Sequence, residues 1–305
     1  MNSALAEIMV IVLIPAVAIV LGALYFLRVR MERPPVGVYT LGDVMIMMSA
    51  VLVIPVVYLA LPSFAVATVL GLMTVFAIQL TLAPLLSGRV GLLVASGAAA
   101  LDLVLFLAGS SAATAWNNAL LLILVIGVCN LYVQSGIKAR DVAVFASLLA
   151  GYDLVATTLL PTMGDFLRKV IDLPFAPVFA WWGGPPPLVI GLGDVLMFVL
   201  WTLVAFKAFG RAAGWLAAGV SLALAATLVL ALRTGLLAEL FPVMVPAGPL
   251  MALQYLFWRR VRGPERTTAA YLASREATEP RALRGPAGTA EARPSERLAG
   301  HTMAE

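Results

Sequence analysis

The 305-residue chain has one cysteine, Cys129, and one histidine, His301. A lone cysteine excludes an intrachain disulfide and any cysteine-cluster metal site. The histidine lies near the end of the chain in a polar segment, so the apolar part has no partner for a Ser–His dyad, and an H-E-x-x-H zinc site is impossible. Charge is scarce as well. Asp, Glu, Lys and Arg make up 12% of the residues, against about a quarter in soluble domains. A soluble fold of this length needs a larger charged surface, which excludes an ordinary cytoplasmic enzyme. The 62% apolar content and mean hydropathy of +1.00 exclude disorder as the main state. What remains is an all-α polytopic membrane protein with the lipid bilayer as its surroundings. The net charge of +4 falls in short loops and the tail. It is a topology signal there, and no nucleic-acid partner is expected.

Nine apolar stretches approach the roughly 20 residues that span a bilayer as helix. They lie at 8–27, 41–61, 64–86, 90–108, 117–134, 142–160, 187–206, 213–232 and 236–258. The first has no Lys or Arg before it and Arg28, Arg30 and Arg33 after it, the reverse of a cleaved secretory signal. The connection 161–186 is the longest. Phe166, Val170 and Ile171 have near-helical spacing around Arg168 and Lys169, which predicts an amphipathic turn on the membrane surface. The Pro-rich stretch after it must be extended. Residues 259–305 are rich in Arg, Glu, Ala, Pro and Gly and read as a disordered cytoplasmic tail, helical around 265–277. The chain thus divides into five N-terminal spans (1–140), four further spans with the loop 161–186 (141–258), and the tail (259–305).

An ionisable side chain inside hydrocarbon costs about 2.5–3.5 kcal/mol on insertion scales, so the acids within the apolar stretches are the candidate functional groups. There are four: Asp43, Asp102, Asp153 and Asp194. Asp153 precedes Pro161 by eight residues and Asp194 follows Pro187 by seven. At 1.5 Å per residue both sit roughly 10–12 Å below one membrane face, on sequential antiparallel helices. Two carboxyls at matching depth can share one proton, one acting as general base on water and the other as hydrogen-bond donor to a carbonyl. That is aspartyl protease chemistry, and it needs no metal or other cofactor. Asp43 lies near a helix end and reads as structural. Asp102 reads as structural too, with Asn130 or Tyr132 as a bonding neighbour. Gly191 and Gly193 remove side chains beside Asp194, leaving room for substrate and water. Pro246 and Pro249 each remove a backbone donor from the last span and loosen it.

These segments resemble the Gly-x-Gly-Asp intramembrane aspartyl proteases, the presenilin and signal peptide peptidase family. The family carries Tyr-Asp in its sixth helix, Gly-x-Gly-Asp in its seventh and Pro-Ala-Leu in its ninth. Here they are matched by Tyr152-Asp153, by Gly191-Leu192-Gly193-Asp194 and by Pro246-Ala247-Gly248-Pro249. The match is specific over about 150–260 and only hydropathic before it. The resemblance implies a presenilin-like fold of nine spans in a prokaryotic cell membrane, with Asp153 and Asp194 as the acting pair. Tyr152, Gly191, Leu192, Gly193 and the Pro246–Pro249 segment would line the substrate. Gly248 stands where the family has Leu, and it leaves space in the wall. The loop 161–186 lacks the long presenilin insertion, so the chain is expected to work uncut and without obligatory partner subunits.

The implied function is hydrolysis of peptide bonds within transmembrane segments or signal-peptide remnants. The competing reading is a proton- or cation-coupled transporter in which Asp102, Asp153 and Asp194 relay ions. Arg28, Arg30, Arg33, Arg89, Lys138, Arg140, Lys207 and Arg211 fall on one side of the nine-span topology, and Arg168, Lys169 and Arg233 on the other. The bias places the N-terminus outside and the C-terminus in the cytoplasm.

Overall fold

The computed structural model describes residues 3–31, 39–160, 162–181, 188–237 and 241–278. Ten of its helices belong to a unit ending at Thr268, and most of the eleventh to a second unit from Ala269 on. In order they are α1 (Ser3–Arg28), α2 (Leu41–Ala60), α3 (Ser63–Leu82), α4 (Gly88–Leu107), α5 (Ala112–Ser135) and α6 (Ala139–Leu154). A π-helical turn, Val155–Leu159, prolongs α6, and α7 (Thr162–Val170) follows it. Strands β1 (Val178–Trp181) and β2 (Leu188–Gly191) come next. Then come α8 (Leu192–Phe209), α9 (Arg211–Arg233), α10 (Met244–Arg262) and α11 (Thr268–Thr278).

Local chemistry explains most of the helix ends. Thr40 and Asp43 form a reciprocal capping box that starts α2. Gly136, at φ 112°, closes α5 in the left-handed region, and Gly210, at φ 94°, makes the one-residue turn between α8 and α9. Glu265 accepts the first N–H of α6, that of Ala139, at 2.6 Å.

Among the described residues, seven helices are long and apolar enough to cross a membrane: α2, α3, α4, α5, α6 with its π turn, α8 and α9. This establishes an all-α, multi-pass architecture and corrects the expected count of nine. Within α1 only a shorter apolar helix, Val12–Arg28, qualifies. In α10 the arginines at 259, 260 and 262 occupy the last turn and dilute its hydropathy. Two boundaries also move. The span expected at 187–206 starts at Leu192, because Leu188–Gly191 pair as a strand with Val178–Trp181. The span expected at 236–258 runs over Met244–Arg262, so the helix carries three arginines assigned by sequence to the tail. The division at 140/141 falls inside the first turn of α6. Thr268–Thr278 is helical, close to the expected 265–277. The rest of the tail and the Pro185–Pro187 run lie outside the described residues.

Helix α8 is the central one. Val195, Phe198, Trp201 and Val204 on its several faces are fully buried, as expected of a helix apolar all round. It packs on α5, α6, α9, α10 and α1. The most extensive helix pair is α6 with α10, while α3, α4 and α5 form a second group. Helix α7 is amphipathic as expected, but it docks on the bundle. Val170 is buried with Tyr58, Val66, Leu70 and Phe175, and the Lys169 ammonium donates to the Leu59 and Leu61 carbonyls at the end of α2.

Candidate active site

Asp153 lies in the last turn of α6. Its Oδ2 accepts the backbone N–H of Met244, the first residue of α10, at 2.9 Å. Its Oδ1 accepts the Thr157 hydroxyl at 3.3 Å. Thr157 sits in the π turn, where the wider helix follows directly on the acid; such turns recur at functional sites. Asp153 therefore acts as a tertiary cap on α10, satisfying one of the N–H groups that a helix start leaves open.

Asp194 is the third residue of α8, with Gly191 as N-cap. Its carboxylate folds back over Gly191. A Cβ at 191 would stand 2.9 Å from Asp194 Oδ2, so the glycine makes room for the carboxyl. Gly193 is exposed, and a Cβ there would meet nothing within 4 Å. The N–H of Leu192 donates to the Pro177 carbonyl at 3.0 Å, which ties the start of α8 to the strand pair.

The two acids are brought together. α6 packs on α8, and the two carboxyls interact electrostatically. Among the described residues neither has a salt bridge. Helical counting from Pro187 put them at equal depth mid-helix. The structure instead places Asp194 in a first turn reached through β2, because the strand replaces the expected opening helical turn. Tyr152 is next to Asp153, half-buried, and its hydroxyl finds no hydrogen-bond partner among the described residues.

The Pro246–Pro249 segment is placed beside α6, with two corrections. Pro246 is in the first turn of α10, where its missing N–H would have no helical partner, so Pro249 alone interrupts the interior. Gly248 does not leave space: it is buried, and a Cβ there would collide with the Ala146 carbonyl and stand 2.9 Å from Ala150 Cβ. Gly248 and the buried Ala247 thus let the backbones of α10 and α6 approach closely, as small residues do between membrane helices. Pro249 is exposed.

The other acids separate from this pair. Asp43 is the N3 member of the α2 capping box. Asp102 is on α4, which packs on α3 and α5, and it accepts the Phe175 N–H at 3.3 Å. Neither expected neighbour holds it: Asn130 donates to the Gly22 and Ile126 carbonyls, and Tyr132 stacks against Tyr39. Sequence reasoning missed Thr157, whose signal was its i+4 spacing from Asp153. It also missed Asp141, buried in the first turn of α6, and Asn118, whose side-chain amide donates to the Ala180 carbonyl and accepts the Ala180 N–H. Asn118 thereby occupies the outer edge of β1. Strand alternation, with Leu192 bonded to Pro177, turns the backbone groups of Val189 away from β1.

Comparison with protein-family models and with curated proteins finds no match.

Proposed function

We propose that the chain is an intramembrane aspartyl protease that hydrolyses peptide bonds in transmembrane segments or signal-peptide remnants. The observation that carries this reading is the Asp153–Asp194 pair, two interacting carboxyls without a salt bridge among the described residues, on packed helices of a membrane-crossing bundle. The resemblance of Tyr152-Asp153, Gly191–Asp194 and Pro246–Pro249 to the Gly-x-Gly-Asp proteases supports it.

In this mechanism the pair shares one proton. Asp153, which accepts two hydrogen bonds at a helix start, is the carboxylate that takes a proton from the attacking water. Asp194 carries the shared proton and donates to the scissile carbonyl. Gly193 leaves the approach to Asp194 open. The turned-out edge of β2 leads to the same helix start, and an extended peptide can add there as a strand. Tyr152, with its unbonded hydroxyl, and Leu192 flank the pair. The transporter reading gains nothing comparable, because Asp102 belongs to a different helix group from the pair.

The orientation proposed from the Lys and Arg bias of the loops is N-terminus outside and C-terminus in the cytoplasm, with no obligatory partner subunit. A reporter that is active only outside the cytoplasm, fused after Gly263 at the end of α10, stays silent under this topology; a signal would overturn it.

The deciding experiment is cleavage of a single-pass substrate by the purified chain in proteoliposomes. Wild-type protein should cut within the membrane segment. Cleavage that persists in both Asp153→Asn and Asp194→Asn would refute the assignment.

A further inference from the structure

A cavity of about 260 Å³ lies between the end of α4, the start of α5 and the segment joining α7 to β1. None of its lining residues belongs to α6, α8 or α10, so it is distinct from the Asp153–Asp194 site. Asp102 lines it and is 2% exposed. One carboxylate oxygen accepts the Phe175 N–H; the other, Oδ1, is buried and has no partner among the described residues. Asp172 stands exposed at the same cavity, Thr114 contributes a hydroxyl, and no Lys or Arg lines it. Asn117 lines it too, its amide donating to the Ala176 carbonyl, and the remaining side chains of the wall, Phe106 and Ile171 among them, are apolar. The backbone is held under strain beside Asp102, since Phe175 is the one non-glycine residue with positive φ, 61°, among those described.

A buried carboxylate oxygen without a partner is costly, and the cost falls when a charged donor meets it. The apolar wall adds a second requirement, because methylene groups gain by burial there. A calcium-like cation would need six or more oxygen ligands, more than this mainly apolar wall supplies. We propose that the cavity binds a protonated amine carried on a short aliphatic stem. The ammonium sits against the Asp102 carboxylate, whose Oδ1 turns to meet it, with Asp172 drawing cations to the mouth. A free small amine and a lysine side chain of a bound peptide present the same group. The site does not depend on the proteolytic reading.

The test is thermal unfolding of the full chain in detergent, titrated with n-butylammonium chloride. Sodium chloride at equal ionic strength, n-butanol and calcium chloride serve as controls. The expected result is a saturable rise in Tm with n-butylammonium alone. Asp102→Asn should weaken that binding by about tenfold or more, the scale of a charge-assisted hydrogen bond. Ala113→Leu, which fills the cavity and keeps Asp102, should abolish the shift as well. An equal shift with butanol or calcium, wild-type affinity in Asp102→Asn, or no saturable shift would each overturn the proposal. Addition of a single-span peptide with a flanking lysine, against its norleucine counterpart, identifies the source. Competition by the lysine peptide alone assigns a side chain, and no competition assigns a free amine.

Discussion

Asp153 and Asp102 begin from the same situation. Each stands near the C-terminal end of an apolar helix, and each accepts a backbone N–H from a distant segment, Met244 or Phe175. They part at the second oxygen. That of Asp153 is held by Thr157, and a second carboxyl, that of Asp194, interacts with the residue electrostatically. That of Asp102 is buried without a partner among the described residues, and the residue lines a cavity. The difference teaches that an acid in a membrane helix takes its chemistry from what the neighbouring elements bring to it. α8 brings Asp153 an acid, and the α7–β1 segment brings Asp102 a cavity.

The strongest way to break the comparison is to remove the acids in turn. Asp153→Asn and Asp194→Asn are each expected to lower turnover by about 10²–10⁴-fold, the range of a general acid or base. Circular dichroism and size-exclusion profiles should stay unchanged. Asp102→Asn should cost far less turnover than either. Equal losses at all three positions would point to one connected relay and favour a transporter.

The next effect concerns the wall behind Asp153. Gly248→Leu must force apart α10 and α6 at Ala146, with an overpacking cost of about 1–3 kcal/mol or more and loss of the Met244–Asp153 bond. Gly193→Ala, with nothing within 4 Å, should stay within about 0.5 kcal/mol of wild type. Thermal unfolding and cleavage of the two variants check this directly. A Gly248→Leu protein as stable and active as wild type would show that the close approach of α6 and α10 is not needed.

The smallest expected effect sharpens the contrast at the second oxygen. Thr157→Val removes one donor to Asp153 and keeps the side chain's shape. Loss of about 1 kcal/mol of hydrogen bonding corresponds to about fivefold lower turnover without a change in fold. A variant with wild-type kinetics would mean that the Met244 N–H positions Asp153 alone.

Much of this was legible in the residues. The membrane class followed from composition, and α2 through α5 and α9 lie within a few residues of their hydropathic stretches. The capping role of Asp43 was in reach, because Thr40 three residues earlier is a local signal. The start of α8 was not. Leu188–Gly191 are apolar residues that fit either a helix or a strand, and only pairing with Val178–Trp181 selects the strand. Gly248 was misread for a similar reason: a glycine leaves space or permits contact according to what stands opposite.

The sequence by itself determined that the chain is helical and membrane-embedded. In a bilayer every backbone polar group must be satisfied within the protein, and long apolar runs leave the helix as the main solution. It also determined where the few costly acids lie. The tertiary structure alone decided that Asp153 caps the α10 start, that Asp194 opens α8 through a strand pair, and that Asp102 lines a cavity. Those outcomes depend on contacts between residues up to about ninety positions apart. Side-chain periodicity encodes only neighbours one or two turns away along the helix.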